Sequence, residues 1–499
     1  MTISMNTIQP DLNVPLFWAE MDSSAANTTQ DSGPALIMGY ASSDSEIPVN
    51  TLTIMPSANL AGQLAGRGSQ LHRMVSAYRT VDPFGELWVV AVTPPEGTEA
   101  TSTLTIAGTA SESGTVNLYI SNQRVAVAVS LNDPAATVAA AIVASITANP
   151  DLAVNASATA GVVTLTAKHA GLYGNDIPVA LNYLGRVGSE VTPTGLNITM
   201  TTMSGGAGSP TLTAAIAALG DEMFDYIGVG FNDSASLNTM ALEMNDTSGR
   251  WSYIRQLYGH VYAAKIGTLS ALVAIGDTFN NQHISLAGYE PKTQTAADEL
   301  VGYRTARNAV FIRIDPARPT QTGELTGAYP APVGARFILS EQQSLLSHGI
   351  ATAYTQGSAL YIQRERTTYK KNVYGVADNS YFDSETLHTS AYVIRRLKSI
   401  ITSKYPRHKL ADDGTRFGPG QAVVTPAVIK GELCAEYRQM ELEGIVENFA
   451  VFKKYLIVER NATNPNRLDV LFPPDYVNQL RVFALKNQFR LQYSAAESA

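Results

Sequence analysis

The pattern of hydrophobic and polar positions predicts alternating strands and helices over much of this chain. Apolar runs at Ala35–Tyr40 and Leu87–Val92 are typical of buried strands. Between them, Ser57 precedes a helical pattern with apolar positions three, four or seven residues apart: Leu60, Leu64, Leu71, Met74, Val75 and Tyr78. The alternation resumes after residue 208, with one helix expected near Arg250–Gly259. It predicts an α/β domain over 21–98 and 209–340, with a mostly parallel sheet covered on both faces.

Residues 99–208 interrupt this rhythm. Within 101–208 there are only three basic and five acidic residues, and Thr, Val, Ala and Gly dominate. Thr115–Ile120 and Arg124–Val129 have the pattern of a β-hairpin turning at Asn122. We therefore expect a β-rich domain inserted into a loop of the α/β domain, facing outward, with the Gly-rich stretch at 205–208 as a flexible joint.

Residues 341–480 mix helix and strand patterns and predict a C-terminal α+β domain. Ala359–Tyr369 alternates as a strand, and His388–Tyr405 and Pro426–Glu443 are helical. Phe452–Glu459 and Arg467–Phe472 resemble paired strands. The fold class expected is therefore α/β, or α+β overall, in a multidomain chain.

Both ends of the chain have the period of an extended strand. We expect an N-terminal arm over residues 1–20. Its alternating apolar residues are Leu12, Val14, Leu16 and Trp18. In the C-terminal arm, residues 481–499, one face of Arg481–Tyr493 carries Phe483, Leu485, Phe489, Leu491 and Tyr493. Such an apolar edge needs a partner. That partner is either another subunit, to which both arms would donate a strand, or the chain's own sheet.

Composition and charge favour a chain that is covered by other proteins. Only 16% of the residues are charged, against about 25% in an average soluble protein; a large globule rich in surface Ser and Thr is the alternative. The net charge of −8 is uneven, because the chain from Arg364 onward has 20 basic and 15 acidic residues. We expect the basic helix to contact an acidic protein surface rather than nucleic acid, or else to be a solvated face. Its candidates are Arg395, Arg396, Lys398 and Lys404.

No motif for catalysis or cofactor binding occurs in the sequence. There is no Gly-Lys dipeptide of a P-loop and no GxGxxG, GxSxG, HExxH or CxxC. The single cysteine, Cys434, excludes a Cys-based zinc site, and the seven histidines are scattered. We therefore expect no enzyme, cofactor or metal site, and no membrane span, since no apolar run reaches 18 residues. An enzyme on a doubly wound α/β domain, a hydrolase or nucleotide binder, stays an alternative because triad residues can be distant in sequence.

The C-terminal third resembles the tail sheath proteins of contractile phages, specifically the Mu-like sheath family. The resemblance is carried by a series of short strings: LYIQRERTTY at Leu360–Tyr369, ADDG at Ala411–Gly414, VTP at Val424–Pro426, VERN at Val458–Asn461, NPNRLDVL at Asn464–Leu471, PPD at Pro473–Asp475 and QFRL at Gln488–Leu491. Another phage tail component is the remaining alternative, although a tube protein is usually much shorter.

The resemblance implies a structural subunit of a virion tail, synthesised and assembled in the bacterial host cytoplasm. Such subunits stack as hexameric rings into a helical array around a tail tube protein, and meet baseplate and tail terminator proteins. It implies that the C-terminal domain faces the tube and that terminal arms add strands to the sheets of neighbours. It also implies that contraction drives the tube through the host envelope, with no cofactor, nucleic acid or membrane as partner.

Overall fold

The computed structural model describes residues 33–491, and its centre is an eight-stranded sheet. The first elements are β1 (Ala35–Tyr40), β2 (Leu52–Ile54), α1 (Ala58–Leu64), α2 (Gln70–Val81) and β3 (Leu87–Val92). The predicted bounds of β1 and β3 are therefore confirmed. The helical pattern after Ser57 forms two helices instead of one, because Gly66 and Gly68 adopt φ angles of 85° and 73°, which an α-helix cannot contain.

The inserted segment forms two antiparallel sheets around one helix. Its elements are β4 (Glu99–Gly108), β5 (Gly114–Ile120), β6 (Gln123–Val129), α3 (Ala135–Thr147), β7 (Val154–Thr159), β8 (Val162–Ala170), β9 (Val179–Leu181) and β10 (Leu196–Met200). One sheet has the order β10-β4-β8-β7 and the other β6-β5-β9. Exposed and buried residues alternate along most of β4, as expected of a strand with one face in a core. The hairpin predicted around Asn122 is present as β5 and β6.

The α/β elements then resume and complete the central sheet. They are α4 (Thr213–Ala218), β11 (Tyr226–Val229), α5 (Ser234–Met244), β12 (His260–Ile266), α6 (Leu269–Thr278), β13 (Ile284–Tyr289), α7 (Ala297–Ile314), α8 (Leu339–Ser347), β14 (Ile350–Gln356) and β15 (Ala359–Arg364). The strand order is β15-β14-β13-β12-β11-β1-β3-β2, and only the pairs β14–β15 and β2–β3 are antiparallel. Ala35 and Ile37 pack in the core that contains α2 and α7, whereas Leu36 and Met38 pack in the core that contains α5. The predicted mostly parallel sheet with two covered faces is thus confirmed.

Three features of this region differ from the sequence pattern. Strands β14 and β15 belong to the central sheet, although they lie inside the segment 341–480 that we placed in the C-terminal domain. The alternation from Ala359 continues to Tyr369, but the strand ends at Arg364. The helix expected near Arg250–Gly259 is absent; turns occupy that region, Gln256 has a φ of 53°, and the buried Arg250 side chain donates to the carbonyl oxygen of Glu222. Tertiary contacts to the guanidinium outweigh the local helical preference there.

The C-terminal elements enclose a separate small core. They are α9 (Ser384–Lys404), β16 (Lys409–Leu410), β17 (Val423–Val424), α10 (Pro426–Leu442), α11 (Phe449–Tyr455), β18 (Ile457–Arg460) and β19 (Leu468–Leu471). The rings of Tyr437 and Phe452 stack at a centroid distance of 3.7 Å in this core. Phe452 therefore lies in a helix, not at the start of the predicted strand, and only Ile457–Arg460 pairs with Leu468–Leu471.

Candidate assembly surfaces

A buried ion pair joins the end of the central sheet to α7. The Arg304 guanidinium donates from Nε to the Glu365 carboxylate at 2.6 Å, and Asn308 donates to the same oxygen at 2.9 Å. The other Arg304 nitrogens donate to the Tyr289 hydroxyl and to the carbonyl oxygens of Thr352 and Arg364. Burial raises the pKa of Glu365, and the Arg304 charge opposes that effect. Glu365 lies in the LYIQRERTTY string, so part of that string stabilises the contact between the central sheet and α7.

The neighbouring arginines of the same string attach α9. Arg364 forms a bidentate ion pair with Asp383, with both distances 2.8 Å. The guanidinium carbons of Arg364 and Arg366 lie 4.2 and 3.8 Å from the centre of the Phe382 ring. Because Asp383 immediately precedes α9, this cluster positions that helix against the sheet.

The C-terminal arm leaves the body at Arg481, which is held by buried partners. Its guanidinium donates to Glu385 at 3.0 Å and lies 3.5 Å from Asp383. Glu385 is fully buried and also accepts from the backbone and hydroxyl of Thr320 at 2.9 and 2.8 Å. Gln321 donates to the carbonyl oxygen of Leu480 at 3.2 Å. The chain up to Arg481 is therefore part of the folded body. Sequence reasoning missed this anchor, because Glu385 lies 96 residues away.

Beyond Arg481 the described arm forms neither helix nor strand and is highly exposed. Residues 482–491 enter no strand of the described chain. The predicted apolar face is open to solvent, with exposures of 78% for Phe483, 76% for Leu485, 76% for Phe489 and 97% for Leu491. Tyr493 and the N-terminal candidates Leu12, Val14, Leu16 and Trp18 lie outside the described residues. The described part of the arm thus does not complete a sheet of its own chain.

A two-stranded sheet in the C-terminal region has unpaired edges. β18 and β19 pair only with each other within residues 33–491. Apolar side chains on and beside this hairpin are about half exposed: Tyr455, Ile457, Val470 and Leu471. A two-stranded sheet alone is marginally stable, and open edges are templates for further strands. The hairpin therefore offers an acceptor for an added strand.

Three of the four basic candidates on α9 are already paired within the chain. Arg395 forms a bidentate ion pair with Asp225, which lies just before β11. Arg396 pairs with Glu436 and Glu443 of α10.

The other two candidates lie nearer the C-terminal end of α9. Lys404 pairs with Glu432 of α10, and this hydrogen bond raises the pKa of Lys404. Lys398 is exposed and has no ion pair with another residue in 33–491. Three of the four basic candidates on α9 therefore hold this helix against other parts of the chain, and Lys398 is the candidate most available to an external partner.

The inserted domain is attached to the body by buried polar contacts. At the tip of the β5–β6 hairpin, the Ser121 hydroxyl donates to Glu299 at 2.8 Å and accepts from the Ala296 amide at 3.1 Å. Arg73 pairs with Asp298 and Glu299 beneath this contact. The stretch that we expected to be a flexible joint is itself paired, because Thr98 and Ala207 exchange backbone hydrogen bonds of 3.2 and 3.1 Å. The insert is thus docked on the α/β body.

No group of three or more His, Cys, Asp or Glu side chains between residues 33 and 491 is arranged to hold a metal ion. Within the same range, no helix is both long and apolar enough to cross a membrane.

Comparison with known proteins shows that the chain belongs to the phage tail sheath proteins, and it is therefore a structural subunit of a contractile tail sheath. Residues 95–206 match the phage tail sheath protein beta-sandwich domain, 205–368 the central domain and 376–490 the C-terminal domain. Over 98% of its length the chain is 37% identical to the Mu-like prophage FluMu tail sheath protein of Haemophilus influenzae, and the match spans all of that relative.

The resemblance stated from the C-terminal strings is thereby confirmed, and the family is a structural one rather than one of enzymes. Solved structures of the sheath tail proteins of Desulfitobacterium hafniense and Listeria innocua are 11% identical to this chain. They align with TM-scores of 0.48 and 0.49, over 94% and 89% of this chain and 97% and 92% of theirs.

Proposed function

We propose that this sheath subunit assembles as hexameric rings, stacked helically around an inner tail tube, and that contraction drives the tube through the host envelope during genome delivery. Its partners are then further copies of itself, the tail tube protein, and the baseplate and tail terminator proteins, with neither nucleic acid nor membrane as a ligand. Synthesis and assembly take place in the host cytoplasm. The energy comes from a metastable extended lattice, so that no nucleotide site is required.

The observation that carries the proposal is the row of exposed apolar side chains on the C-terminal arm. Phe483, Leu485, Phe489 and Leu491 follow directly on the anchor at Arg481. Burying each of these side chains contributes roughly 1.5–3 kcal/mol, so one arm supplies about 6–12 kcal/mol before the costs of association. This contribution offsets the cost of association and favours a link between neighbours that persists while the lattice rearranges. Tyr493 would extend the same face.

The hairpin β18–β19 is the acceptor that we propose for this strand. Main-chain hydrogen bonds to an open edge supply affinity, and alternate side chains enter the adjoining apolar surface. The half-exposed Ile457, Val470 and Leu471 give the arm an apolar surface to cover. The N-terminal arm, through Leu12, Val14 and Leu16, would add a strand in the same manner.

We further propose that the C-terminal region lines the inside of the sheath, with α9 toward the tube and the inserted domain outward. Lys398 is the leading tube contact because it is exposed and has no ion-pair partner within the described chain; Lys404 is also exposed, although paired. Arg395 and Arg396 would support this surface by fixing the helix. Surface charge pairs are individually weak and are screened by salt, which suits a tube that must be released.

The test of polymerisation is a truncation placed after Arg481. This truncation keeps the Arg481–Glu385 ion pair, so the shortened chain should stay folded with a near-native melting temperature but form no cylinders in negative-stain images. The full-length variant with Phe483, Leu485, Phe489 and Leu491 all changed to serine is a matched control for chain length. Cylinders of normal length from either variant would refute the role of the arm.

The test of the tube-facing surface is charge reversal. Lys398→Glu should lower co-assembly with the tail tube protein while rings still form, whereas Lys292→Glu, an exposed lysine of the α/β body, should have no effect. Equal co-assembly of the two variants with the tube would contradict the proposed orientation of α9.

A further inference from the structure

Two buried histidines face each other where α9 packs on the central sheet. The ring centres of His260, in β12, and His388, in α9, are 5.8 Å apart, and the two residues are 0% and 7% exposed. The His388 Nε2 lies 2.9 Å from the hydroxyl of Tyr262, and its ring stacks on Tyr226 at 5.2 Å. The His260 Nε2 lies 2.9 Å from the hydroxyl of Ser285. The histidine pair therefore connects α9 to β11, β12 and β13.

Neither ring has a carboxylate that could neutralise a proton. The histidines that lie within ion-pair distance of an acid in residues 33–491 are His72, His283 and His348, so the pair is not among them. The Nδ1 atom of His260 is buried and has no hydrogen-bond partner in the same range. A protonated His260 would thus bury both an uncompensated charge and an N–H group without an acceptor.

The charges closest to His388 do not favour its protonation. Burial, and then the Arg395 charge two helical turns further along α9, lower the pKa of His388 from 6.5 to about 3. Asp225, just before β11, forms its bidentate ion pair with Arg395. The buried carboxylates Glu365 and Glu385 each pair with an arginine of their own. Negative charge near α9 is thus directed at guanidinium groups and not at the imidazole.

The surroundings of His260 have the same character. β13 contributes the neutral Ser285 hydroxyl, and His283, just before β13, contributes a further imidazole whose Nε2 lies 2.9 Å from Asp246. Burial, followed by repulsion from His388 and His283, lowers the pKa of His260 well below 6.5. The pair is therefore neutral in the folded chain, whereas a histidine in water takes up a proton near pH 6.5.

The opposite face of α9 belongs to a different core. Val393 is buried in the small C-terminal core, and Leu397 packs against the same core, whereas the central sheet has its own two cores. Segments with separate cores can open without global unfolding. We propose that the contact between α9 and the central sheet is an acid-sensitive switch, in which protonation of His260 and His388 releases α9 while the α/β body stays folded. The proposal goes beyond the proposed function, because it concerns a single chain and requires no assembly.

The size of the effect follows from proton linkage. The released state binds protons at both histidines and the closed state does not, so release becomes more favourable as the pH falls. Between pH 7 and pH 5, one imidazole with a pKa of 6.5 shifts the equilibrium about 25-fold, and two shift it about 600-fold. Lys398 lies on the released helix, so acid would also displace the surface that we assign to the tube.

Thiol labelling of the unassembled full-length chain tests the switch. Ala391, 5% exposed and three residues after His388, is changed to cysteine in a Cys434→Ser chain. Ala263→Cys is the matched control, since Ala263 is 1% exposed on the opposite face of β12 and reacts only when the sheet itself opens. The probe is 4,4′-dithiodipyridine, and each rate is divided by that of the same thiol in the urea-unfolded chain at the same pH.

We expect the ratio for Ala391→Cys to rise about 600-fold from pH 7 to pH 5, and the ratio for Ala263→Cys to stay at least about tenfold lower at every pH. Equal ratios would mean that α9 opens only by global unfolding, and the proposal would be overturned. A ratio for Ala391→Cys that does not rise with acid would overturn it as well.

Histidine variants identify the groups that take up the protons. In the Ala391→Cys chain, His260→Gln or His388→Gln should each reduce the rise to about 25-fold, and the two together should abolish it. His408→Gln, at an exposed histidine after α9, should leave the rise at about 600-fold. A full rise in the double variant overturns the assignment. The rise is a ratio within one variant, so a change in basal stability does not affect it; if the double variant does not fold, the comparison of the two thiols decides.

Discussion

Removal of the Glu365 carboxylate is expected to destabilise the subunit more than a comparable change at the surface. Glu365→Ala leaves the Arg304 guanidinium, which is 1% exposed, without the one anionic partner that it has among residues 33–491. It also removes one of the two acceptors of the Asn308 side chain, leaving only the carbonyl oxygen of Arg304 among the described residues. The remaining acceptors, one hydroxyl and two carbonyl oxygens, are neutral and cannot compensate for the buried charge.

The size of the effect follows from the burial of both partners. Breaking a buried ion pair by removing one member costs about 3–5 kcal/mol, a large part of the roughly 5–15 kcal/mol that stabilises a domain. At about 2 °C per kcal/mol for a large domain, the melting temperature should fall by about 6–10 °C. Glu365→Gln keeps an acceptor oxygen for Arg304 and should cost less, about 1–3 kcal/mol.

Differential scanning calorimetry of the unassembled chain measures this series. The matched control is Asp151→Asn, which removes the partner of Arg67 at an exposed ion pair, 58% exposed on the arginine side; it should leave the melting temperature nearly unchanged. If Glu365→Ala melts within about 2 °C of the unmodified chain, or if the control loses as much, the reasoning from burial is wrong.

Three further changes test other contacts. Arg481→Met removes the cation from buried Glu385, at a cost of about 3 kcal/mol, and should speed hydrogen exchange in residues 477–481; unchanged exchange would exclude an anchoring role. Ser121→Ala removes both hydrogen bonds at the start of α7, including the one to Glu299, so the midpoint of thermal unfolding should fall by an amount equivalent to about 1–3 kcal/mol, and no shift would mean that the insert is loosely docked. Burial lowers the pKa of His388 from 6.5 to about 3. At this residue the unfolded chain then takes up a proton near pH 6.5 and the folded chain does not, so His388 alone should contribute a fall of about 1.4 kcal/mol per pH unit in the free energy of unfolding from pH 6.5 toward 3. His388→Asn should flatten that slope, and parallel slopes would argue against it.

Local patterns were sufficient for the strands that are apolar along their whole length. The runs Ala35–Tyr40 and Leu87–Val92 are strands with the predicted bounds, because largely apolar stretches of this length suit a sheet covered on both faces. The inserted domain was evident from its composition. Family membership followed from short strings in the C-terminal third, several of which lie in loops and strand ends.

Local patterns failed where a distant residue determines the backbone. The segment at 250–259 has helical periodicity, yet the buried Arg250 side chain holds it in turns. Charge counting identified the basic helix but not the residues that form ion pairs with it, since the partner of Arg395 lies 170 residues away. Such pairs depend on which elements the fold brings together, and sequence separation carries no information about that.

The sequence by itself determined the order of the elements, the inserted domain, the two apolar chain ends and the family to which the chain belongs. These properties depend on hydrophobic period and local composition, which can be seen directly in the order of residues along the chain. Only the tertiary structure decided that Arg481 is anchored on Glu385 and that residues 482–491 beyond it are exposed. Those features arise when segments far apart in the chain exclude water together, and burial is a property of the packed whole.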